Sequence, residues 1–214
     1  MGKLYIIAMP IGNLKDITLR AMEVLKSVDV IIAEDTRVTR KLLSHYGISK
    51  HVLRHIYGKT YGPPVGGYKN IALVTDAGTP AISDPGTNLI HDLYKKGFEI
   101  VSVPGPSALT AAISVSDINL SDFLFLGFPP SKKGRKKFFE RLAKSEFPVI
   151  LFESPHRVLK TLHELHDAAG DRYMNICREL TKVYEEVFRG NLSEAIFKYE
   201  NEGARGEFVI ILDA

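Results

Sequence analysis

The stretch VTDAGTPAISDPG, Val74 to Gly86, decides how the rest of the chain is read. The run IALV (71–74) leading into it is short and apolar, like the end of a buried strand. Two aspartates, two glycines and two prolines then crowd into residues 76–86. Ordering such a loop costs conformational entropy, so a ligand is expected to need it. It carries no Lys or Arg, which argues against a phosphate loop. Glycine lets backbone approach a ligand closely. Carboxylates without basic partners favour a cation or a hydroxyl-rich molecule.

Outward from this stretch, strand-like runs alternate with helical patterns. The strands are LYIIA (4–8), VDVIIA (28–33), IALVT (71–75) and FEIVSV (98–103). Between them, Ile17, Ala21, Val24, Leu25 and Val28 fall on one helical face, with Asp16 as N-cap. Residues 36–47 read as a helix capped by Thr36 and stopped by Gly47, and residues 87–97 as another. A further helix starts at Pro106 and Ser107. This alternation predicts a parallel sheet covered by helices. After SDINLSD (116–122) the pattern restarts with strands at 123–128, 149–153, 173–180 and 207–212 and helices at 134–144 and 156–170. The expectation is an α/β protein of two domains, 1–118 and 119–214. The segment YGKTYGPPVGGYKN (57–70), with four glycines and two prolines, reads as a mobile loop.

Composition sets the bounds. The chain has 214 residues, 45% hydrophobic and 25% charged, with net charge +3, so it is globular and mildly basic. One cysteine, Cys177, permits no intrachain disulfide and fits a reducing compartment. No run has the make-up of a signal peptide or the length of a membrane span. A cytoplasmic protein without a membrane role is expected. No metal is expected either. Cysteine-based zinc sites are excluded by count, and the near-miss zinc helix at His163, Glu164 and His166 has Asp167 where a histidine is required. Gly58, Lys59 and Thr60 resemble the end of a phosphate loop, but Leu53 stands where that motif needs glycine.

Four polar or glycine-rich turns follow the strand-like runs: MPIGN (9–13), AEDTR (33–37), TDAGTPAISDPG (75–86) and VPGPSAL (103–109). In a parallel sheet the carboxyl ends of strands share one edge, where ligands bind. S-adenosylmethionine, bearing an ammonium, a sulfonium and a ribose diol, is one molecule suited to glycines and unpaired carboxylates there.

These turns, with DITLRAMEVLKSVDVIIAEDTRVTRKLLSHYGI, FLFLGFPP, ESPHR, RELTK and GEFVIIL, resemble a known group in order over residues 3–212. The group is the bacterial 16S rRNA (cytidine-2′-O)-methyltransferases of the tetrapyrrole methylase superfamily. EDTRxTRKLL together with DAGTPxISDPG is specific to it. PIGN replaces the GxGPG-type first loop of corrin and diphthamide methylases. The resemblance implies two α/β domains with S-adenosyl-L-methionine in the cleft between them, a homodimer, and methyl transfer to a ribose 2′-hydroxyl of the small ribosomal subunit. It implies cofactor contacts from Pro10, Asp76, Ala77, Gly78, Ile82, Pro106, Ser107 and Ala108, and from Phe152, Glu153, Arg178, Glu179 and Leu180. Members usually carry a longer segment at 57–70, and many continue into a small C-terminal domain beyond the equivalent of Ala214.

For chemistry, a base must take the proton of a poorly nucleophilic hydroxyl. Glu34, Asp35, Asp84, Glu153 and Lys182 are candidates. The acids of AEDTR are favoured, although Asp35 can equally serve as a helix cap. Arg37, Arg40, Lys132, Lys133, Arg135, His156, Arg157 and Lys182 are the expected RNA contacts. The first three of the second-domain group sit in SKKGRKKFFERLAK (131–144), which holds seven Lys or Arg and one Glu. Two other readings compete: a tetrapyrrole small-molecule methylase and a non-catalytic RNA-binding relative. The basic run and EDTRxTR argue against the first. Intact AEDTR and DAGTP argue against the second.

Overall fold

The computed structural model describes residues 2–56, 59–61, 65–84 and 86–214. The chain divides into two compact units, Met1–Ser107 and Ala108–Ala214.

The first unit runs β1 (Lys3–Ile7), α1 (Leu19–Ser27), β2 (Val30–Ala33), α2 (Thr36–His45), β3 (Val52–Ile56), β4 (Lys59–Tyr61), β5 (Asn70–Val74), α3 (Thr87–Lys95) and β6 (Glu99–Val103). The sheet order is β4-β3-β2-β5-β1-β6. All neighbours are parallel except β3 and β4. In the central strands β2 and β5 both faces are buried, which is why they read as continuous apolar runs. Ile31, Ala33, Ala72 and Val74 pack with Ala21, Leu25, Leu42 and Leu43 on one face. The intervening Val30, Ile32, Ile71 and Leu73 pack with Leu89 and Leu93 on the other.

The second unit runs α4 (Ala108–Ser114), β7 (Leu124–Gly127), α5 (Arg135–Leu142), β8 (Val149–Glu153), α6 (Val158–Ala169), β9 (Tyr173–Arg178), β10 (Glu186–Asn191), α7 (Leu192–Glu202) and β11 (Phe208–Leu212). Its sheet order is β10-β9-β11-β8-β7. Only β7 and β8 are parallel; β11 runs antiparallel to both β8 and β9. The connection between β9 and β10 is too short for a parallel crossover, so they pair as a hairpin. Leu151, Leu162, Ile176, Tyr199 and Ile210 lie in one core.

Several sequence expectations shift. The helix expected from Asp16 begins at Leu19. Thr18 caps it, its hydroxyl accepting from the Ala21 N–H at 3.1 Å, while Asp16 ends a short 3₁₀ turn. Asp35, not Thr36, caps α2. The division falls after Ser107 rather than near residue 118, because α4 packs on β11. The strands β3 and β10 and the helix α7 were not anticipated. The expected loop at 57–70 lies in part outside the described residues; within the remainder, β4 pairs with β3, and Val65–Gly67 form a 3₁₀ turn.

Thr18→Ala removes one cap hydrogen bond and is expected to cost about 1 kcal/mol. Urea unfolding should show a lower midpoint with an unchanged slope; an unchanged midpoint would mean that the Thr18 cap contributes nothing.

Candidate functional site

The four turns singled out in the sequence all leave adjacent strands. In the order β2-β5-β1-β6, each of these strands ends at the same edge of the parallel sheet. The turns are then bonded to one another. Met9 and Gly78 exchange backbone hydrogen bonds of 2.8 and 3.0 Å. The Asp35 N–H donates to Asp76 Oδ1 at 3.0 Å. The Thr79 hydroxyl donates to the Pro106 carbonyl at 3.2 Å. Thr75 turns its hydroxyl back on the Ala77 carbonyl at 3.2 Å. The result is one continuous polar rim spanning residues 9–13, 34–37, 75–84 and 104–107.

Glycine is required at two points. Gly78 has φ +75, left-handed backbone that a side chain disfavours. At Gly105, a Cβ would stand 3.1 Å from the Ala8 methyl. Ala81 and Ser83 hold left-handed backbone at φ 68 and 63. Such a conformation costs a non-glycine residue about 1–3 kcal/mol and clusters at functional sites. Pro10 and Gly78 are buried. Ile82, Pro106, Ser107 and Ala108 are half-buried, and Asp76 and Ala77 are exposed.

The electrostatics of this rim are lopsided. Burial pushes the Glu34 carboxyl above its ordinary range, and the neighbouring Asp76 charge adds to it. Asp76 is raised by burial too. Asp84 is pushed up to about 7, first by burial and then by the charges of Glu34 and Asp76. Among the described residues no basic side chain relieves Asp84. Asp35 is the exception: its pairing with Arg37 holds it well below the carboxylate range. Three carboxylates thus face one another at a strand edge, each penalised when ionised. A sulfonium or ammonium would remove that penalty, and hydroxyls of a ribose would satisfy their lone pairs. In charge and hydrogen-bonding capacity this donor set fits S-adenosylmethionine.

In the second unit, Glu153 is 1% exposed. Its Oε1 accepts from the Ser154 N–H at 2.8 Å and pairs with Arg157 Nη2 at 2.7 Å. Its Oε2 accepts from the Thr161 hydroxyl at 2.6 Å. Both oxygens of Glu153, expected as a candidate base, are thus engaged by neighbouring side chains and backbone. Asp35 takes the cap role that the sequence left open: it caps α2 through the Arg37 N–H at 2.8 Å and pairs with the Arg37 guanidinium. Lys182 lies 2.8 Å from Glu179 and 2.7 Å from Glu207, and those partners keep its pKa raised, so it is a cation rather than a base. Glu179 and Thr181 also hold left-handed backbone. Arg178 pairs with Glu186, Leu180 is buried, and Phe152 stacks edge-on with Phe125 and Phe128.

The expected RNA contacts divide. Arg40, Lys132, Lys133 and His156 are exposed, as is the Arg37 side chain at 86%. Arg135 is only 5% exposed and its donors are spent internally, and Arg157 is tied to Glu153, Ser154 and Pro129. Neither is free to meet phosphate. Among the described residues, no three His, Cys, Asp or Glu side chains could hold a metal ion, and no helix is long and apolar enough to cross a membrane.

The fold and this rim define a class. The chain belongs to the tetrapyrrole (corrin/porphyrin) methylase family, whose profile matches residues 3–196. It is a methyltransferase, and S-adenosylmethionine is the family's methyl donor. Two solved methyltransferases share the fold. The cobalamin biosynthetic enzyme cobalt precorrin-4 methyltransferase CbiF has TM-score 0.70 at 21% identity, over 99% of this chain and 94% of that one. CobJ has TM-score 0.71 at 16% identity, over 100% and 95%. Closer in sequence are proteins named ribosomal RNA small subunit methyltransferase I. That of Thermotoga maritima is 45% identical over 99% of this chain and 98% of its own length. That of Bacillus subtilis is 43% identical over 100% and 75%, and that of Neisseria meningitidis serogroup B 43% over 99% and 76%. The chain sits in that branch of the family.

Asp84 yields a prediction. Its proton is held up to about pH 7 in the folded chain but only to 3.8 as the unperturbed side chain. Folding therefore loses stability as pH rises from about 4 to 7 and none further above it. Asp84→Asn should raise the melting temperature at pH 8 by about 2–4 °C, discounted for partial exposure. Below pH 4 the difference should vanish. An equal gain at both pH values would show that ionisation of Asp84 is not its source.

Proposed function

We propose that the chain transfers a methyl group from S-adenosylmethionine to the 2′-hydroxyl of a cytidine in 16S rRNA of the small ribosomal subunit. The observation carrying this is the cluster of Glu34, Asp76 and Asp84 at the shared strand edge, all raised by burial, with no basic side chain among the described residues relieving Asp84. Full-length similarity to ribosomal RNA small subunit methyltransferases I supports the choice of RNA over a tetrapyrrole. Exposed Lys132, Lys133, Arg37 and Arg40 supply phosphate partners that a tetrapyrrole does not need.

The bound donor supplies an electrophilic methyl group, already activated on sulfur. The chain's task is then placement and proton removal. Asp76, fixed by the Asp35 N–H, meets the donor's positive charge. Gly78, tied to Met9 and held at φ +75, presents backbone rather than a side chain at the rim. Asp84, titrating at about 7, takes the hydroxyl proton at neutral pH, with Glu34 beside it favouring the shared proton. Such a base contributes roughly 10²–10⁴-fold. The same reading takes the protein to work as a homodimer in the cytoplasm.

The test uses small subunits from a strain lacking the modification, with the product nucleosides resolved by mass spectrometry. 2′-O-methylcytidine should form, and its rate should rise with pH through about 7. Asp84→Asn should cut kcat by about 10²-fold or more and flatten that rise. A base-methylated product, or no product from a protein that binds the donor, contradicts the proposal.

A further inference from the structure

Arg135, which is buried, and Arg157, which is half-buried, are two cations that the sequence assigned to RNA and that the fold engages internally. Their donors converge on one loop. Arg157 Nη1 donates to the Pro129 carbonyl at 3.1 Å. Arg135 Nη1 donates to the Pro130 carbonyl at 2.9 Å. The Arg135 N–H also reaches the Lys132 carbonyl at 3.3 Å. Prolines have no N–H, so this segment cannot fold upon itself through a ladder. It is held instead by guanidinium groups reaching in from outside.

The two arginines are themselves locked. Arg135 Nε pairs with Glu164 at 2.6 Å, and its Nη2 donates to the Thr161 hydroxyl at 2.7 Å. Its guanidinium also lies 5.1 Å from the Phe139 ring centre. The Thr161 hydroxyl donates a hydrogen bond to Glu153 Oε2, while Glu153 Oε1 binds Arg157. The relay Glu164–Arg135–Thr161–Glu153–Arg157 thus closes on a buried carboxylate and ends on consecutive carbonyls. Gly134, at φ +86, then turns the chain into α5. The residues left facing solvent in this clamped turn are Ser131, Lys132 and Lys133.

We infer that Arg135 is a positioning residue: with Thr161, Glu153 and Arg157, it fixes the turn that presents Lys132 and Lys133 to substrate phosphate. Arg135 never touches RNA in this arrangement. A fixed turn spares the two lysines the ordering cost of binding. Lysine cannot replace Arg135, because a point ammonium cannot serve a carboxylate, a hydroxyl and a carbonyl in a planar fork. The inference rests on the proposed rRNA reaction.

The experiment compares wild type, Arg135→Lys, Lys132→Ala/Lys133→Ala, and the triple variant. It measures KM for small subunits and for S-adenosylmethionine across salt concentrations. Arg135→Lys conserves charge, so a merely structural role leaves the salt dependence unmoved. The relay predicts a rise in subunit KM and a fall of about 1–2 in the log–log salt slope, as for the lysine pair. Donor KM should stay within about twofold. The triple variant should be no worse than the lysine pair alone. Thr161→Val should reproduce the effect and Thr161→Ser should spare it, which covers an Arg135 variant that fails to fold. An unchanged salt slope in Arg135→Lys and Thr161→Val, or additive losses in the triple variant, overturns the inference. Failure of wild type to methylate the subunit would instead overturn the reaction on which it rests.

Discussion

Three carboxylates, Glu34, Asp76 and Asp84, are placed where ionising any one of them is unfavourable, and much of the first unit exists to hold them there. Burial raises all three; the Asp76 charge adds to Glu34, the charges of Glu34 and Asp76 add to Asp84, and that of Asp35 adds to Asp76. No guanidinium or ammonium among the described residues relieves Asp84. A chain selected only for stability would substitute amides there. The arrangement makes sense as affinity held for a positive ligand. The parallel order β2-β5-β1-β6 brings the carrier turns side by side. The Met9–Gly78 exchange, the Asp35–Asp76 bond and the Thr79–Pro106 bond then join them.

The second unit uses the same residue types to the opposite end. Glu153 is more deeply buried than any of the three, yet its oxygens meet Arg157, Ser154 and Thr161. Removing a partner from such a network leaves a buried charge unmatched, so the network fixes geometry. What it fixes is the proline turn before α5. One set of carboxylates is only partly compensated at an edge, and another is saturated in the interior. Only the surroundings, not the residue types, distinguish them.

That contrast explains what could be read in advance. The strands of the first unit were legible because both faces of a parallel sheet are buried, which leaves apolar runs such as IALV. The four turns were legible because strand ends in such a sheet share an edge. Asp84 was legible as a candidate base, but its titration near neutrality depends on Glu34 and Asp76, 50 and 8 positions away in sequence. The burial of Glu153 and Arg135 was not legible because ESPHR and SKKGRKK look like exposed polar segments, and it comes from α6 and the proline carbonyls. The strands β3 and β10 escaped notice because Arg54, His55, Glu186 and Arg189 break their apolar pattern. The helix α7 was signalled: Asn191 and Glu194 form a capping box in NLSE, and Leu192, Ala195 and Tyr199 keep helical spacing.

The central question is whether Glu34, Asp76 and Asp84 hold a positively charged methyl donor. Isothermal titration of the protein with S-adenosylmethionine, in two buffers of different ionisation enthalpy, tests it most directly. Micromolar binding is expected, with proton release near pH 7 as the bound cation draws Asp84 into its ionised form. Asp76→Asn should weaken that binding by at least tenfold. Binding that is indifferent to Asp76→Asn and takes up no part of the carboxylate titration would contradict the account.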